Sequence, residues 1–422
     1  MTAEVLILNK NAIAIAADSA VTIKRQGTEK ISNTANKLFR LSKKAPIGIL
    51  VYQNSSINSI PWELLIKDFR SKSISVIKSD IYDYMGDFIN HISNTLINDS
   101  LGENTYINRI VVEVYSAVSQ KIQEGITERA RFTSELLSKD DLLDISRKVL
   151  AELDVFVSGL TDYEGISEQW MSETRTKFEH QISSVLFSLS STIDASLLPQ
   201  IHDICAKALF KSIDSDDYSG IVIFGYGSED FYPGYSSIKA YGILNKQLLY
   251  SIDKKAKITN NIGSIIVPLA QRDVVDTFIT GVNPDLELTL YDSVSIAKNE
   301  IYEVLISGPE ITDHSAAKLA IRSSLDSIER VMLDKIRERK SIISSDIINA
   351  VTTLQVIDLA QMAKSLVELT SFRRKVSSSI ESVGGPVDVA VISKGDGFIW
   401  IERKHYFKRD LNEHFFDGYS ER

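Results

Sequence analysis

Near its amino terminus the chain alternates in steps of two. Val5 and Ile7 interleave with Leu6 and Leu8, Asn9-Lys10-Asn11 interrupts them, and AIAIAADS resumes the pattern. A period of two broken by a short polar triplet predicts a pair of strands joined by a turn. KLFRL (37–41) and PIGILVY (46–52) predict two more, with the polar SKK as their turn. From about Pro61 to Ile213 the spacing of apolar residues lengthens to that of helices. In SDIYDYMGDFINHISNTLIND, Ile81, Met85, Phe88, Ile92 and Leu96 share one face, and Ser79 stands where an N-cap belongs. Further helices are expected at 106–123, 133–158, 167–192 and 196–212. On the first of these, Ile107, Ile110, Val114, Val118 and Ile122 form an apolar face suited to burial against a neighbouring helix or another subunit.

Strand patterns return in SGIVIFGYG, SIKAYGILN and QLLYSID, separated by glycine and asparagine turns. A second helical stretch is expected from Pro268 to about Ser371, with breaks at 281–284 and 308–309. The chain closes on PVDVAVISKGDGFIWIER, where Lys394-Gly395-Asp396-Gly397 predicts a hairpin turn. Strand-rich ends enclosing long helices imply an α+β fold of antiparallel sheets covered by helices, with a helical block inserted.

Composition narrows the function classes. With 422 residues, 44% of them hydrophobic, the chain can fill a sizeable core. A net charge of −9 with scattered basic residues argues against a nucleic-acid or anionic-membrane partner. Arg373, Arg374 and Lys375 form the densest basic cluster and are expected at a helix end. A single cysteine, Cys205, leaves no intramolecular disulfide and fits a reducing, cytoplasmic setting. No run approaches the roughly 18 apolar residues of a membrane span.

Candidate chemistry concentrates at Thr2. If Met1 is removed, Thr2 carries a hydroxyl nucleophile and a free α-amine in one residue. Such an amine titrates near about 7.8, against about 10.4 for lysine, so much of it is unprotonated at neutral pH and can act as a base. A nearby cation would lower its pKa further, and a carboxylate would hold that cation in place. Asp18, at the end of the second strand in IAADS, and Lys37, at the start of the third in NKLFRL, offer both.

Thr2, AADSAVTI, Lys37 with its alternating strand, and GILVYQN leading into PWELLIKDF together resemble the amino-terminal half of proteasome β-subunits and their bacterial relatives, which are N-terminal-nucleophile (Ntn) hydrolases. GSIIVPLAQRDVVDTFITG resembles that family's glycine/serine loop entering a helix, and GGPVDVAVISKGDG its last hairpin. The likeness covers roughly residues 2–75 and 218–404. It implies a four-layer αββα sandwich: 1–100 as the first part of the core, 101–215 as a large helical insertion, and 216–422 as the second part.

It also implies a threonine peptidase. Thr2 Oγ would attack a peptide carbonyl, its amine would shuttle the proton, Lys37 would lower the amine's pKa, and Asp18 would orient Lys37. Gln53 occupies the place of the family's oxyanion-hole glycine, and Ser264 matches the serine that contacts the nucleophile. The family's aspartate and serine before its paired glycines are replaced by SSSIESV, so Ser379, Glu381 or Ser382 would substitute only if that loop shifts. The implied partners are a peptide or unfolded-protein substrate and further copies of the chain in a ring or shell. The insertion is a possible docking point for another protein. No cofactor or metal is called for. A catalytically silent assembly or binding protein, or a small-molecule amidase of the same fold, are the alternatives.

Other motifs read as structure. Gly225-Tyr226-Gly227 is followed by Ser228-Glu229-Asp230, a β-turn rather than a dinucleotide loop. Asp140-Asp141 and Asp216-Asp217 are expected at helix caps. His91, His180, His202, His314, His405 and His414 show no metal-ligand spacing. A G-x-S-x-G elbow is absent from the sequence.

Overall fold

In the computed structural model of the chain, which describes residues 2–25, 28–42, 44–72, 77–95, 100–132, 137–190, 193–213, 217–307, 315–377, 384–405, 407 and 409–412, the alternating segments are strands and the long-period segments are helices. In chain order they begin β1 (Glu4–Asn9), β2 (Ile13–Ala17), β3 (Val21–Arg25), β4 (Thr28–Ser32), β5 (Leu38–Arg40), β6 (Ile47–Gln53), β7 (Ser56–Ile57) and β8 (Ile60–Pro61). Helices α1 (Trp62–Lys72), α2 (Ile81–Thr95), α3 (Ser100–Phe132), α4 (Lys139–Gly159), α5 (Glu168–Leu189) and α6 (Leu198–Ala208) follow. The remainder comprises β9 (Ser219–Gly225), β10 (Gly234–Leu244), β11 (Gln247–Lys257), β12 (Ser264–Pro268), α7 (Asp273–Thr280), α8 (Pro284–Ile306), α9 (Ser315–Thr353), α10 (Val356–Val376), β13 (Asp388–Ser393) and β14 (Gly397–Glu402). The fold is α+β. None of the helices among the described residues is long and apolar enough to cross a membrane.

Contacts divide the chain into two units. The first is Met1–Gly48, Phe224–Gly234 and Lys257–Arg422; the second is Ile49–Ile223 and Tyr235–Ala256. In the second unit the helices share a core with strands. Ile107, Ile110 and Val118 of α3 pack with Ile182 of α5, Ile201 and Cys205 of α6, and Leu244 and Leu249 of β10 and β11.

The first unit is built on an antiparallel sheet in the order β12-β1-β2-β13-β14. β1 and β2 are buried along their whole length, on both faces. One face, with Val5, Ile7, Ala14 and Ala16, packs against Leu359, Ala360, Ala363 and Val367 of α10. Alanines on both sides allow a close approach of helix to sheet. On the other face lie Leu6, Leu8, Ile13 and Ile15, all fully buried. The expected turn after β1 is pinned by Asn9. Its amide donates to Val351 O (3.0 Å) and Leu354 O (2.9 Å), and its Oδ1 accepts from Asn11 N (2.9 Å) and Ala12 N (3.1 Å). β12 is a strand where the sequence suggested a loop entering a helix; the helix begins only at Asp273. The break at 281–284 is as expected, with Gly281 at φ 72° ending α7 and Asn283 capping α8 ahead of Pro284. The break expected at 308–309 lies outside the described residues.

In the second unit, β6, β9, β10 and β11 lie in the sheet order β11-β10-β9-β6. The turn between β10 and β11 places Asn245 and Lys246 at φ 44° and 66°. This left-handed pair suits a two-residue hairpin, and the helices hold it. Asn245 N donates to Glu103 Oε1 (2.6 Å), Asn245 Nδ2 to Thr174 Oγ1 (2.9 Å), and Trp170 Nε1 to Asn245 O (3.1 Å).

Candidate active site

Thr2 leads into β1, and its side chain lies on the same face of the strand as Glu4, two residues on. Asp18 follows β2 and lies beside Ala3, as the β1–β2 register dictates: Glu4 pairs with Ala17, Asp18 N donates to Ala3 O (3.1 Å) and Ala3 N to Asp18 Oδ1 (3.1 Å). Lys37 immediately precedes β5. Thr2, Glu4, Asp18 and Lys37 are 3, 2, 1 and 4% exposed, so they interact with each other rather than with water.

The sequence-derived trio is thus brought together in the first unit, with Glu4 as an unforeseen fourth member. Lys37 Nζ donates to Asp18 Oδ1 and stands 3.2 Å from Glu4 Oε1. Thr2 Oγ1 donates to Glu4 Oε2 at 3.1 Å. Asp18 also secures the backbone around the site, its Oδ2 accepting from Ala20 N (3.3 Å) and Gly384 N (3.0 Å). Asp18 is therefore a turn former and the partner of the lysine at once. Lys37 is no solvated strand edge; its stem is buried and its ammonium bridges two carboxylates.

Burial raises the Glu4 carboxyl from 4.5 to about 7, opposed by the Lys37 charge and assisted by that of Asp18. An ordinary carboxylate is a feeble base at neutral pH; one titrating near 7 is poised to exchange a proton there. One signal in the sequence pointed to Glu4: it is a charged residue directly ahead of the apolar run VLIL, at the period that shares a face with Thr2.

Of the other expected residues, Ser264 lies elsewhere in the first unit. Ser264 pairs with Asn9 at the far end of β1, and its hydroxyl donates to Ile348 O (2.7 Å) while accepting from Thr352 (3.3 Å). Seven residue-to-residue steps along extended chain separate Thr2 from Asn9, about 24 Å at about 3.4 Å per step. The register thus excludes Ser264 from the Thr2 site. Gln53 belongs to the second unit and sits at φ 67°, the left-handed backbone favoured by glycine, in spite of its side chain. Ser379, Glu381 and Ser382 lie outside the described residues, although Gly384 just beyond them does reach the site through Asp18 and through its carbonyl, which accepts from Ser19 N (3.2 Å).

Of the motifs read as structure, the turn at Gly227 and the cap at Asp141 are seen as such; Asp217, expected at a helix cap, lies between α6 and β9, and Asp216 lies outside the described residues. Asp230 N donates to Gly227 O (3.2 Å), closing the β-turn. Ser138 and Asp141 form a capping box on α4. In the last turn of α10, Arg374 and Arg373 approach Asp273 at the start of α7 (2.7 and 3.6 Å).

No family model matches the chain, nor does any curated protein sequence. Among solved structures it is similar to the Anbu (Gly-1) mutant from Hyphomicrobium sp. strain MC1, at 8% sequence identity and a TM-score of 0.23, over 100% of this chain and 96% of that one. A superposition at that TM-score fixes neither fold nor function, and the chemistry rests on the residues around Thr2.

Proposed function

We propose that the chain is a threonine-type Ntn hydrolase that cleaves peptide bonds through Thr2 once Met1 is removed. The observation that carries this reading is the buried hydrogen bond of Thr2 to Glu4, a carboxylate that shares Lys37 with Asp18. A lysine sealed from water and joined to Thr2 through Glu4 supplies a positive field that favours the neutral α-amine. Thr2 Oγ attacks the carbonyl carbon, the C–N bond breaks with a proton passing to the departing nitrogen, and water then hydrolyses the acyl ester. The four-layer αββα arrangement belongs to the same proposal, as does the division into a core and a helical insertion.

Assembly into a homo-oligomer completes it. Helices α8 and α9 are held side by side by Lys298 with Asp326 and Glu329, and by Lys340 with Glu287. None of α8's residues is buried, and Leu288, Ile296, Val304, Leu319 and Val331 are more than half exposed. Apolar side chains in that number on one helical pair favour a protein neighbour over water.

The test is the mature amino terminus together with covalent capture. Intact mass should show loss of Met1, and a peptide epoxyketone, which needs both hydroxyl and amine, should add to Thr2. A purified chain that keeps Met1, takes no adduct and cleaves no peptide refutes the reading.

A further inference from the structure

The neutral-pH base in a threonine hydrolase need not be the amine that the resemblance implies, because this chain places a second candidate directly on the hydroxyl. Thr2 Oγ1 donates to Glu4 Oε2 at 3.1 Å, inside the range in which a general base takes a proton, and the opposite oxygen of that carboxylate lies 3.2 Å from Lys37 Nζ. Lys37 in turn is held by Asp18, whose remaining oxygen is tied to the backbone at Ala20 and Gly384. The chain of contacts therefore runs from a fixed backbone through Asp18, Lys37 and Glu4 to the nucleophile, with every member shielded from water.

We propose that Glu4 is a catalytic residue of this site, the proton acceptor for the Thr2 hydroxyl, with Lys37 as the positioning residue that fixes its carboxylate. As Thr2 Oγ bonds to the carbonyl carbon, its proton passes to Glu4 Oε2. As the C–N bond breaks, that proton is returned to the departing nitrogen, and the carboxylate is restored for the water that opens the ester. The charged and titratable groups acting on Glu4 are Lys37 and Asp18, with the Thr2 hydroxyl beside them, and removal of Met1 adds the Thr2 α-amine. Burial lifts the carboxyl to about 7, so it is protonated and idle in mild acid and becomes competent as the pH rises through neutrality. The α-amine is then released from the role of first base.

This inference rests on Thr2 being the nucleophile, and the experiment separates the two. A β-lactone acylates a hydroxyl by ring opening: the Oγ–C bond forms, the lactone C–O bond breaks, and the alkoxide takes back the proton. Labelling of Thr2 is followed by intact mass and peptide mapping across neutral pH, with Thr2→Ala as the blank. In the wild-type chain the rate should rise with an inflection near 7. In Glu4→Gln it should fall by at least about 100-fold, and any residual rate should follow an amine near about 7.8. Should Glu4→Gln fail to fold, the wild-type chain with its α-amine acetylated decides: labelling should persist with the same inflection. A Glu4→Gln rate equal to wild type, or labelling lost on acetylation, overturns the role of Glu4 and leaves Thr2 as nucleophile. Absence of any Thr2 adduct in the wild-type chain overturns both.

Discussion

Replacing Glu4 by glutamine should stabilise the folded protein at alkaline pH, even though it removes a buried ion-pair partner. Burial is the largest influence on this carboxyl and raises it from 4.5 to about 7, outweighing the attraction of Lys37. The folded chain therefore holds the Glu4 proton more tightly than the unfolded chain does. Below 4.5 the group is protonated in both states and carries no penalty. Between 4.5 and about 7 the unfolded chain releases the proton first, so stability falls as the pH rises, and above that window the full penalty is in force. At about 1.4 kcal/mol per pKa unit, the shift amounts to about 3 kcal/mol. Glutamine has nearly the volume of glutamate, still accepts from the Thr2 hydroxyl and never ionises, while Lys37 keeps Asp18. Urea unfolding followed by fluorescence of Trp62, Trp170 and Trp400 measures the difference. Near about pH 5 the variant and wild type should agree within about 1 kcal/mol, and near about pH 8.5 the variant should be more stable by about 2 to 3 kcal/mol. A variant that loses stability relative to wild type as the pH rises would show that attraction to Lys37 outweighs burial, and the raised carboxyl on which the base role draws would be wrong.

Lys37→Met should act in the opposite direction, costing about 3 to 5 kcal/mol in the same unfolding assay, because two buried carboxylates lose their shared cation. Asn9→Ala should cost about 2 to 3 kcal/mol and lower the melting temperature, since Val351 O, Leu354 O and the N–H groups of Asn11 and Ala12 lose the side chain that joins them. Gly225→Ala should yield insoluble protein on expression: Gly225 sits at φ 147°, and a Cβ there would lie 2.1 Å from Pro46 O. Gly384→Ala, with nothing within 4 Å of the new methyl and its N–H to Asp18 retained, should remain soluble and serve as the control. Ile296→Glu combined with Val304→Glu, both exposed on α8, should reduce the assembly mass seen by light scattering and change monomer stability by no more than about 0.5 kcal/mol.

Local patterns in the sequence carry the elements whose causes are local. The alternation on either side of Asn9-Lys10-Asn11, the final hairpin turn and the stop and start at Gly281 and Asn283-Pro284 are all present in the fold, because period, turn chemistry and capping act within a few residues. Long-range partners decided the rest. SIIVP reads equally as a strand or as the approach to a helix, and pairing with β1 settles it as a strand; the same register sends Ser264 to the Asn9 end and away from Thr2. α3 extends to Ser100 and Phe132, beyond the 106–123 face that periodicity picks out, since polar ends of a helix leave no apolar mark. Thr2, Asp18 and Lys37 could be singled out as residue types at suggestive offsets. That Glu4 joins them depends on burial and on the convergence of segments from β1, β2 and the approach to β5, because a carboxyl's proton affinity is set by the charges and the water around it, and these come from residues distant in sequence.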